Sequence, residues 1–156
     1  MSELHILLSE ILIPKDDSVD TRAQLLSSNS IDIPDKFQVY IIQMLKNHSE
    51  IFNDIQQSLD KIVSDNKIDA KDTPELLAII GKLYELLYKS KFITNKADYY
   101  EIISHLLYVS SAIYLRKKDK CNQEILDNIS SIMASSIELI KLKSSIKAPK
   151  MKFKLF

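Results

Sequence analysis

Only a few residues of this chain have the types and spacing that catalysis would require. His105 follows Glu101 by four residues, so on one helix face the carboxylate could orient the imidazole as a general base. A solvated surface pair is the commoner outcome of this spacing, and the sequence contains no GxSxG, no HExxH and no glycine-rich phosphate loop. We therefore interpret the pair as surface residues, and we expect a non-enzymatic protein with no catalytic residue and no cofactor.

An acidic stretch in the middle of the chain could hold a metal ion. Between Asp65 and Glu75, four carboxylates and one amide place side-chain oxygens close together, as calcium loops do. When Ile68 takes the apolar eighth position of an EF-hand loop, the first and third ligand positions fall on Lys61 and Val63, which cannot bind calcium. The histidines and the single cysteine do not fall at zinc-ligand spacing either. We therefore expect no metal site and interpret the carboxylates as caps of a tight turn between two helices.

The elements that carry these residues are predicted to be helices. Apolar residues recur at steps of three and four along most of the chain, which is the spacing of amphipathic helices. The predicted fold is all-α, an antiparallel bundle of four main helices, because the connections between them are short. These helices are expected near residues 35–64, 74–89, 96–117 and 122–143.

The first part of the chain is predicted to add smaller elements to the bundle. Ser2 can cap a short N-terminal helix that ends before Pro14 and covers one end of the bundle. Residues 15–34 are polar and are interpreted as a connector with a single helical turn around Leu25. The long helix that follows is expected to bend near residues 47–49, which are its weakest helix formers.

The segment 74–89 carries the densest apolar block, so it is predicted to be the central helix. Thr73 is its expected N-cap, and Pro74 is its expected first helical residue. Gly81 is the only glycine of the protein and costs about 1 kcal/mol relative to alanine inside a helix. A close helix crossing over Gly81 or a tolerated surface glycine would each account for it. The residues predicted to form the core are Ile55, Leu59, Leu76, Ile80, Leu83, Leu106, Ile113, Ile129 and Ile137.

Composition limits the class of protein and the compartment. The chain has 156 residues, of which 46% are hydrophobic, and this is enough for one domain with a substantial core. One glycine, four prolines and no tryptophan argue against β-sandwiches and against glycine-loop nucleotide folds. A single cysteine excludes a disulfide framework and favours a reducing compartment. No apolar run approaches the roughly 20 residues of a membrane span, and the first residues lack the features of a signal peptide.

Charge is distributed unevenly along the chain. Residues 1–80 hold 14 acids and 7 bases, whereas residues 81–156 hold 7 acids and 14 bases. This layout suits packing against neighbouring subunits more than binding nucleic acid, although chance would also produce it. After Glu138 there is no acidic residue but there are six lysines. We therefore divide the chain into a helical bundle domain, residues 1–143, and a basic C-terminal arm, residues 144–156.

The arm has the sequence pattern of an extended segment. Pro149 blocks continuation of the preceding helix, and beyond it lysine and apolar side chains alternate with a period of two, as in a strand. Such a segment could add to an exposed sheet edge of a neighbouring subunit, and a disordered solubilising tail is the alternative. One aromatic residue between lysines is too few to predict nucleic-acid binding. The predicted partner-binding residues are Lys150, Met151, Lys152, Phe153, Lys154, Leu155 and Phe156.

One stretch resembles a known group of proteins. The string IVSDNKIDAKDTPELLAIIGKLYELL, residues 62–87, contains D-x-K-I-D, then a D-x-P-E cap, then a leucine-rich helix. It is similar to a pattern in small helical virion proteins of nucleocytoplasmic large DNA viruses, including minor capsid proteins. The resemblance implies a cementing protein of the virion, present in the host cytoplasm during assembly. It also implies other capsid or structural proteins as partners, copies of itself among them, and it brings no catalytic residues.

Two other functions stay open at this point. The size and composition also suit a viral host-defence modulator similar to the poxviral Bcl-2-like proteins, although the glycine–aspartate motif of their central helix is absent. A cellular helical adaptor is the third possibility. Recovery of the chain in purified particles would favour the capsid hypothesis, whereas binding to a host helix peptide would favour the modulator.

Overall fold

The computed structural model describes residues 2–64, 67–90, 98–120 and 122–146, with side chains up to residue 142. Seven α-helices and one 3₁₀ turn (Ala70–Asp72) make up the regular structure of these residues, and no strand occurs among them. This confirms the all-α class predicted from the apolar periodicity. The helices are α1 (Glu3–Leu12), α2 (Val19–Ser28), α3 (Asp35–Asn47), α4 (Glu50–Ile62), α5 (Thr73–Ser90), α6 (Asp98–Lys117) and α7 (Gln123–Ile146).

The long helix predicted over residues 35–64 is instead two helices, α3 and α4. The first begins at Asp35 as expected, but the backbone leaves the helical conformation at His48, where φ is −139° and ψ is 54°. Histidine has poor helix propensity, so the chain breaks at little cost where only a bend was expected. The break allows the ring of Phe52 in α4 to meet the ring of His5 in α1 edge-on, with 5.6 Å between the centroids. The expected count of four main helices is therefore wrong.

The connector over residues 15–34 contains a ten-residue helix, α2, rather than a single turn. Ser18 Oγ accepts a hydrogen bond from the Thr21 backbone N–H at 3.2 Å, which is the bond of a helix N-cap. Leu26 is buried in this helix, and α2 packs on α1. Since the sequence of α2 is mostly polar, its contact with α1 accounts for more of its stability than its own apolar periodicity.

The first helix belongs to the core instead of covering one end of a bundle. Ser2 Oγ accepts a hydrogen bond from the His5 backbone N–H at 3.1 Å, which confirms the predicted cap. The helix packs against α2, α3, α4 and α6. His5 Nε2 lies 2.7 Å from the backbone oxygen of Leu45, and this bond joins α1 to α3. The buried leucines of α1 are Leu4, Leu8 and Leu12.

The central helix of the domain is α6, whereas the sequence pattern favoured residues 74–89. Helix α6 packs against α1, α3, α4, α5 and α7, and every side chain from Val109 to Leu115 is buried. Helix α5, which covers the predicted segment, packs against α4, α6 and α7 but leaves Tyr88 exposed. Small residues such as Ala112 allow neighbouring helices to surround α6. The density of large apolar residues, which favoured residues 74–89, therefore did not identify the most buried helix.

The predicted core is confirmed residue by residue. All nine residues predicted to be buried have 7% or less of their surface exposed. They belong to one hydrophobic cluster that also includes side chains of α1 and α3. Spacing at steps of three and four therefore identified the inward faces of α4 to α7 correctly, although it did not predict how many helices there are.

One buried tyrosine gives the fold a dependence on alkaline pH. The Tyr114 hydroxyl donates a hydrogen bond to Asp60 Oδ1 at 2.7 Å and joins α6 to α4. Burial, followed by this hydrogen bond and the charge of Asp60, raises the pKa of Tyr114 above its ordinary value. In the unfolded chain a tyrosine ionises near pH 10, so the stability that Tyr114 contributes is complete below about pH 10 and is lost as the pH rises further.

We expect Tyr114→Phe to weaken this alkaline sensitivity. Between pH 9 and pH 11, the free energy of unfolding of the wild type should fall by about 1 kcal/mol more than that of the variant, because phenylalanine has no proton to lose. The measurement is the urea midpoint at the two pH values, followed by circular dichroism. Other tyrosines and the lysines titrate in both proteins, so the difference reports Tyr114. Equal losses in the two proteins would contradict the assignment.

Candidate interaction surface

The two described histidines with potential chemistry, His48 and His105, each contact a side chain of another helix. The half-buried ring of His105 packs against the ring of Phe37, with 5.3 Å between the centroids, and Glu101 is exposed one turn earlier. His48 is half-buried, and its Nε2 lies 3.4 Å from Ser90 Oγ, as expected for a hydrogen-bonded histidine on an apolar stripe. In the described ranges, no three His, Cys, Asp or Glu side chains come close enough to hold a metal ion.

The acidic turn forms backbone caps, as its spacing predicted. Asp69 Oδ1 accepts a hydrogen bond from the Lys71 N–H at 3.0 Å, and Asp72 Oδ2 accepts one from the Asp69 N–H at 3.0 Å. These bonds make a capping box on the 3₁₀ turn that leads into α5. Both carboxylates therefore bind the backbone. Asp65 and Asn66 lie outside the described residues.

The start of α5 differs from the prediction in one respect. Thr73 has φ −56° and ψ −47°, so it is the first helical residue and not the N-cap, because the capping box one turn earlier supplies the cap. Glu75 Oε2 accepts a hydrogen bond from Ser58 Oγ at 2.8 Å, and Lys61 Nζ lies 3.9 Å from Glu75 Oε1. Glu75 therefore joins α5 to α4.

The predicted partner-binding residues, 150–156, lie outside the part of the chain that the structure describes, as does the single cysteine, Cys121. The helix that leads towards the arm is longer than expected, since α7 continues to Ile146 rather than ending near residue 143. Helix α7 packs on both α5 and α6. The first three residues assigned to the arm, 144–146, therefore belong to α7, and the rest of the arm follows a helix that is packed in the domain.

An apolar groove of about 400 Å³ lies between α5 and α7. Its residues on α5 recur at steps of three and four, so they form one stripe along the helix. Because Gly81 has no side chain and is half-buried, the groove is open to the α5 backbone at this point. The groove is lined by Gly81, Tyr84, Glu85, Tyr88 and Ile140.

Aromatic contacts with α6 hold one wall of the groove in place. The ring of Tyr84 meets the ring of Tyr99 edge-on, with 5.3 Å between the centroids, and it lies tilted against Tyr100 at 5.4 Å. Lys141 Nζ of α7 lies 5.2 Å from the centroid of the Tyr100 ring, within cation–π distance. Tyr84 is therefore a fixed wall, whereas Tyr88 is 53% exposed at the groove entrance.

Acidic side chains border the groove on the side of α4. Glu85 lines both the apolar groove and a second depression of about 250 Å³, whose other charged residues are Glu50, Asp54, Lys82 and Lys89. Lys89 Nζ donates to Glu85 Oε1 at 2.7 Å, and this hydrogen bond, together with the lysine charge, lowers the pKa of Glu85. The border therefore carries three carboxylates and two ammonium groups at neutral pH, a small excess of negative charge.

The outward face of α7 is more apolar than a solvated helix requires. Leu139 and Leu142 are 44% and 55% exposed. Ser136 of this helix is buried, whereas Ala134 and Ser135 are exposed and line a shallow depression together with Leu139.

The sequence did not predict the α5–α7 groove. Tyr84 is half-buried, and its position on the helix resembles that of a residue at the rim of the core. The signal that could have found the groove is the stripe formed by Gly81, Tyr84 and Tyr88, where a missing side chain precedes two aromatic ones. The opposite wall, Ile140, is far away in sequence, and no local pattern places it there.

Among the described residues, no helix combines the length and the apolar character needed to cross a membrane. No protein-family model, curated protein or solved structure shows significant similarity to this chain. The function has to be inferred from the arm, the groove and the sequence pattern of residues 62–87.

Proposed function

We propose that this protein is a non-enzymatic structural protein, a minor capsid component that cements neighbouring subunits of a large DNA virus through its basic arm. The observation that supports the proposal is the placement of the arm after α7. Because α7 packs on both α5 and α6, the arm starts from a fixed helix. A binding segment attached to a rigid domain can bridge two subunits, since the domain occupies one site while the segment reaches the next.

The organisation of residues 62–87 supports the same proposal. The resemblance implies a helix, a capped turn and a leucine-rich helix in this order. The chain has α4 ending at Ile62, then the capping box of Asp69 and Asp72, and then α5. The proposal places the protein in the virion and, during assembly, in the host cytoplasm, with other capsid proteins as its partners.

Mass spectrometry of purified virus particles tests this proposal. The chain should be recovered at a fixed ratio to the major capsid protein, and it should stay bound in moderate salt because Met151, Phe153 and Leu155 contribute apolar contacts that salt does not screen. A non-structural viral protein from the same infected cells serves as the control for carry-over. Absence of the chain from particles, despite its abundance in the infected cell, would contradict the proposal.

The α5–α7 groove favours one alternative function. An apolar groove between helices is the kind of surface that receives an amphipathic helix, as in Bcl-2-like host-defence modulators. Under this alternative the chain would be absent from particles and would bind host helix peptides in a fluorescence anisotropy titration. Tyr88→Lys, which places a cation at the groove entrance, would abolish that binding. Particle recovery and peptide binding together therefore separate the two functions.

A further inference from the structure

We propose that the α5–α7 groove is the acceptor for residues 149–156 of a second copy of this chain. This inference rests on the proposed function, because it uses the same arm, and it adds the surface that receives the arm when the neighbour is another copy. The part of the chain that the structure describes offers no strand for the arm to pair with, so a groove is the acceptor on a copy of the protein.

The dimensions of the arm and the groove match. In an extended segment the apolar residues Met151 and Leu155 are about 13 Å apart and point to the same side as Phe153. Along α5, the stripe from Gly81 to Tyr88 is about 10 Å long. The volume of about 400 Å³ lies within the range of sites that bind several apolar groups. Two consecutive apolar side chains of one extended segment, about 7 Å apart, therefore fit along the stripe, and the third reaches its end.

The charges of the arm and the groove border are complementary. When the apolar side chains face the groove, Lys150, Lys152 and Lys154 point away from it, and their long side chains allow the ammonium groups to reach its edges. Glu85 lies on one edge, and Asp54 lies beyond it. These carboxylates are exposed and partly paired with lysines, so their attraction for the lysines of the arm is weak. Apolar burial therefore supplies most of the affinity, and charge sets the orientation of the arm.

The sequence after α7 favours a second copy over the chain's own groove. Ile140 lies six residues before the last helical residue described, which is about 9 Å along the helix. To enter its own groove, the chain would have to reverse direction within residues 147–149. Pro149 prevents α7 from continuing as a helix and restricts Ala148 to extended conformations. Entry into its own groove therefore requires a reversal directly after α7, whereas the groove of a second copy requires none.

Complementation between two full-length variants tests the inference. Phe153→Asp removes the central apolar residue of the arm, and Tyr88→Lys places a cation in the groove opposite the lysines of the arm. The wild type should associate with increasing concentration in sedimentation velocity runs, and each variant alone should associate at least tenfold more weakly. An equimolar mixture should form a dimer and nothing larger, because one intact arm then meets one intact groove.

Tyr108→Lys is the matched control, since Tyr108 is an exposed tyrosine on α6 outside the groove. It should associate like the wild type. If Tyr88→Lys fails to fold by circular dichroism, Gly81→Leu replaces it, because the backbone of Gly81 is not at positive φ and leucine would fill the groove.

Three results would overturn the inference: a wild type that is monomeric at all concentrations, single variants that associate like the wild type, or a mixture that gains no dimer. These failures are distinct from failure of the proposed function. The chain can be recovered in particles without associating with itself, and it can associate with itself without entering particles.

Discussion

Replacing Leu83 by alanine is expected to lower the free energy of unfolding by about 2–5 kcal/mol. Leu83 has no exposed surface and lies on α5, which packs against α4, α6 and α7. Truncation removes apolar contacts with these neighbours and leaves a cavity that packed helices can only partly fill. Domains of this size are stable by only about 5–15 kcal/mol, so the loss is a large fraction of the total.

The measurement is a urea unfolding curve followed by circular dichroism at 222 nm. Leu139→Ala is the matched control, because it makes the same chemical change at a side chain that is 44% exposed on α7. The control should change the stability by no more than about 0.5 kcal/mol. Equal midpoints for Leu83→Ala and Leu139→Ala would show that the assignment of the inner face of α5 is wrong.

Leu8→Ala should have an effect of the same size, about 2–5 kcal/mol, although α1 is only ten residues long. Isolated helices of this length are marginal in water, so a short terminal helix that only covered the domain would contribute little. Leu8 is fully buried, and α1 is packed against four other helices. Removing its side chain should therefore destabilise the whole domain.

Ile6→Ala provides the control on the same helix, since Ile6 is 47% exposed. A thermal melt of both variants should show one cooperative transition, strongly lowered for Leu8→Ala and almost unchanged for Ile6→Ala. Two separate transitions for Leu8→Ala would contradict the placement of α1 in the core, because they would mean that α1 unfolds independently of the other helices.

Apolar spacing was enough to predict the helical class and the inward faces of α4 to α7. This succeeds because a helix repeats every 3.6 residues, so buried positions recur at fixed steps whatever the neighbours are. The capping carboxylates of Asp69 and Asp72 were predictable for a similar reason, since a cap bonds to backbone groups a few residues away. Local geometry decided each of these features.

Features that depend on tertiary contacts were not predictable in the same way. The polar sequence around Ser18 and Thr21 gives little apolar periodicity, yet packing on α1 makes it a ten-residue helix. The break at His48 depends on how α3 and α4 each pack. The burial of α6 did have a sequence signal, since no charged residue occurs between Ile102 and Leu115. That signal is the absence of charge, and counting large apolar residues overlooks it.

The groove shows why a candidate site is harder to predict than a core. Its α5 stripe is a local pattern, but its other wall, Ile140, and the support of Tyr84 by Tyr99 and Tyr100 come from two further helices. The positions of these walls follow from helix packing and not from spacing within one helix. The arm differs from the groove in this respect. Its alternation of lysine and apolar residues can be recognised in the sequence, but the surface that it binds belongs to a partner.

Deletion of residues 149–156 tests the central claim most directly, by measuring how much of the protein enters particles assembled in infected cells. The truncated chain should keep its helical circular dichroism and melting temperature, because every predicted core residue lies at or before Ile137. Its incorporation, quantified against the major capsid protein, should fall at least tenfold below that of the full chain. Incorporation at the level of the full chain, with the fold intact, would contradict the claim that the arm binds this protein to its neighbours.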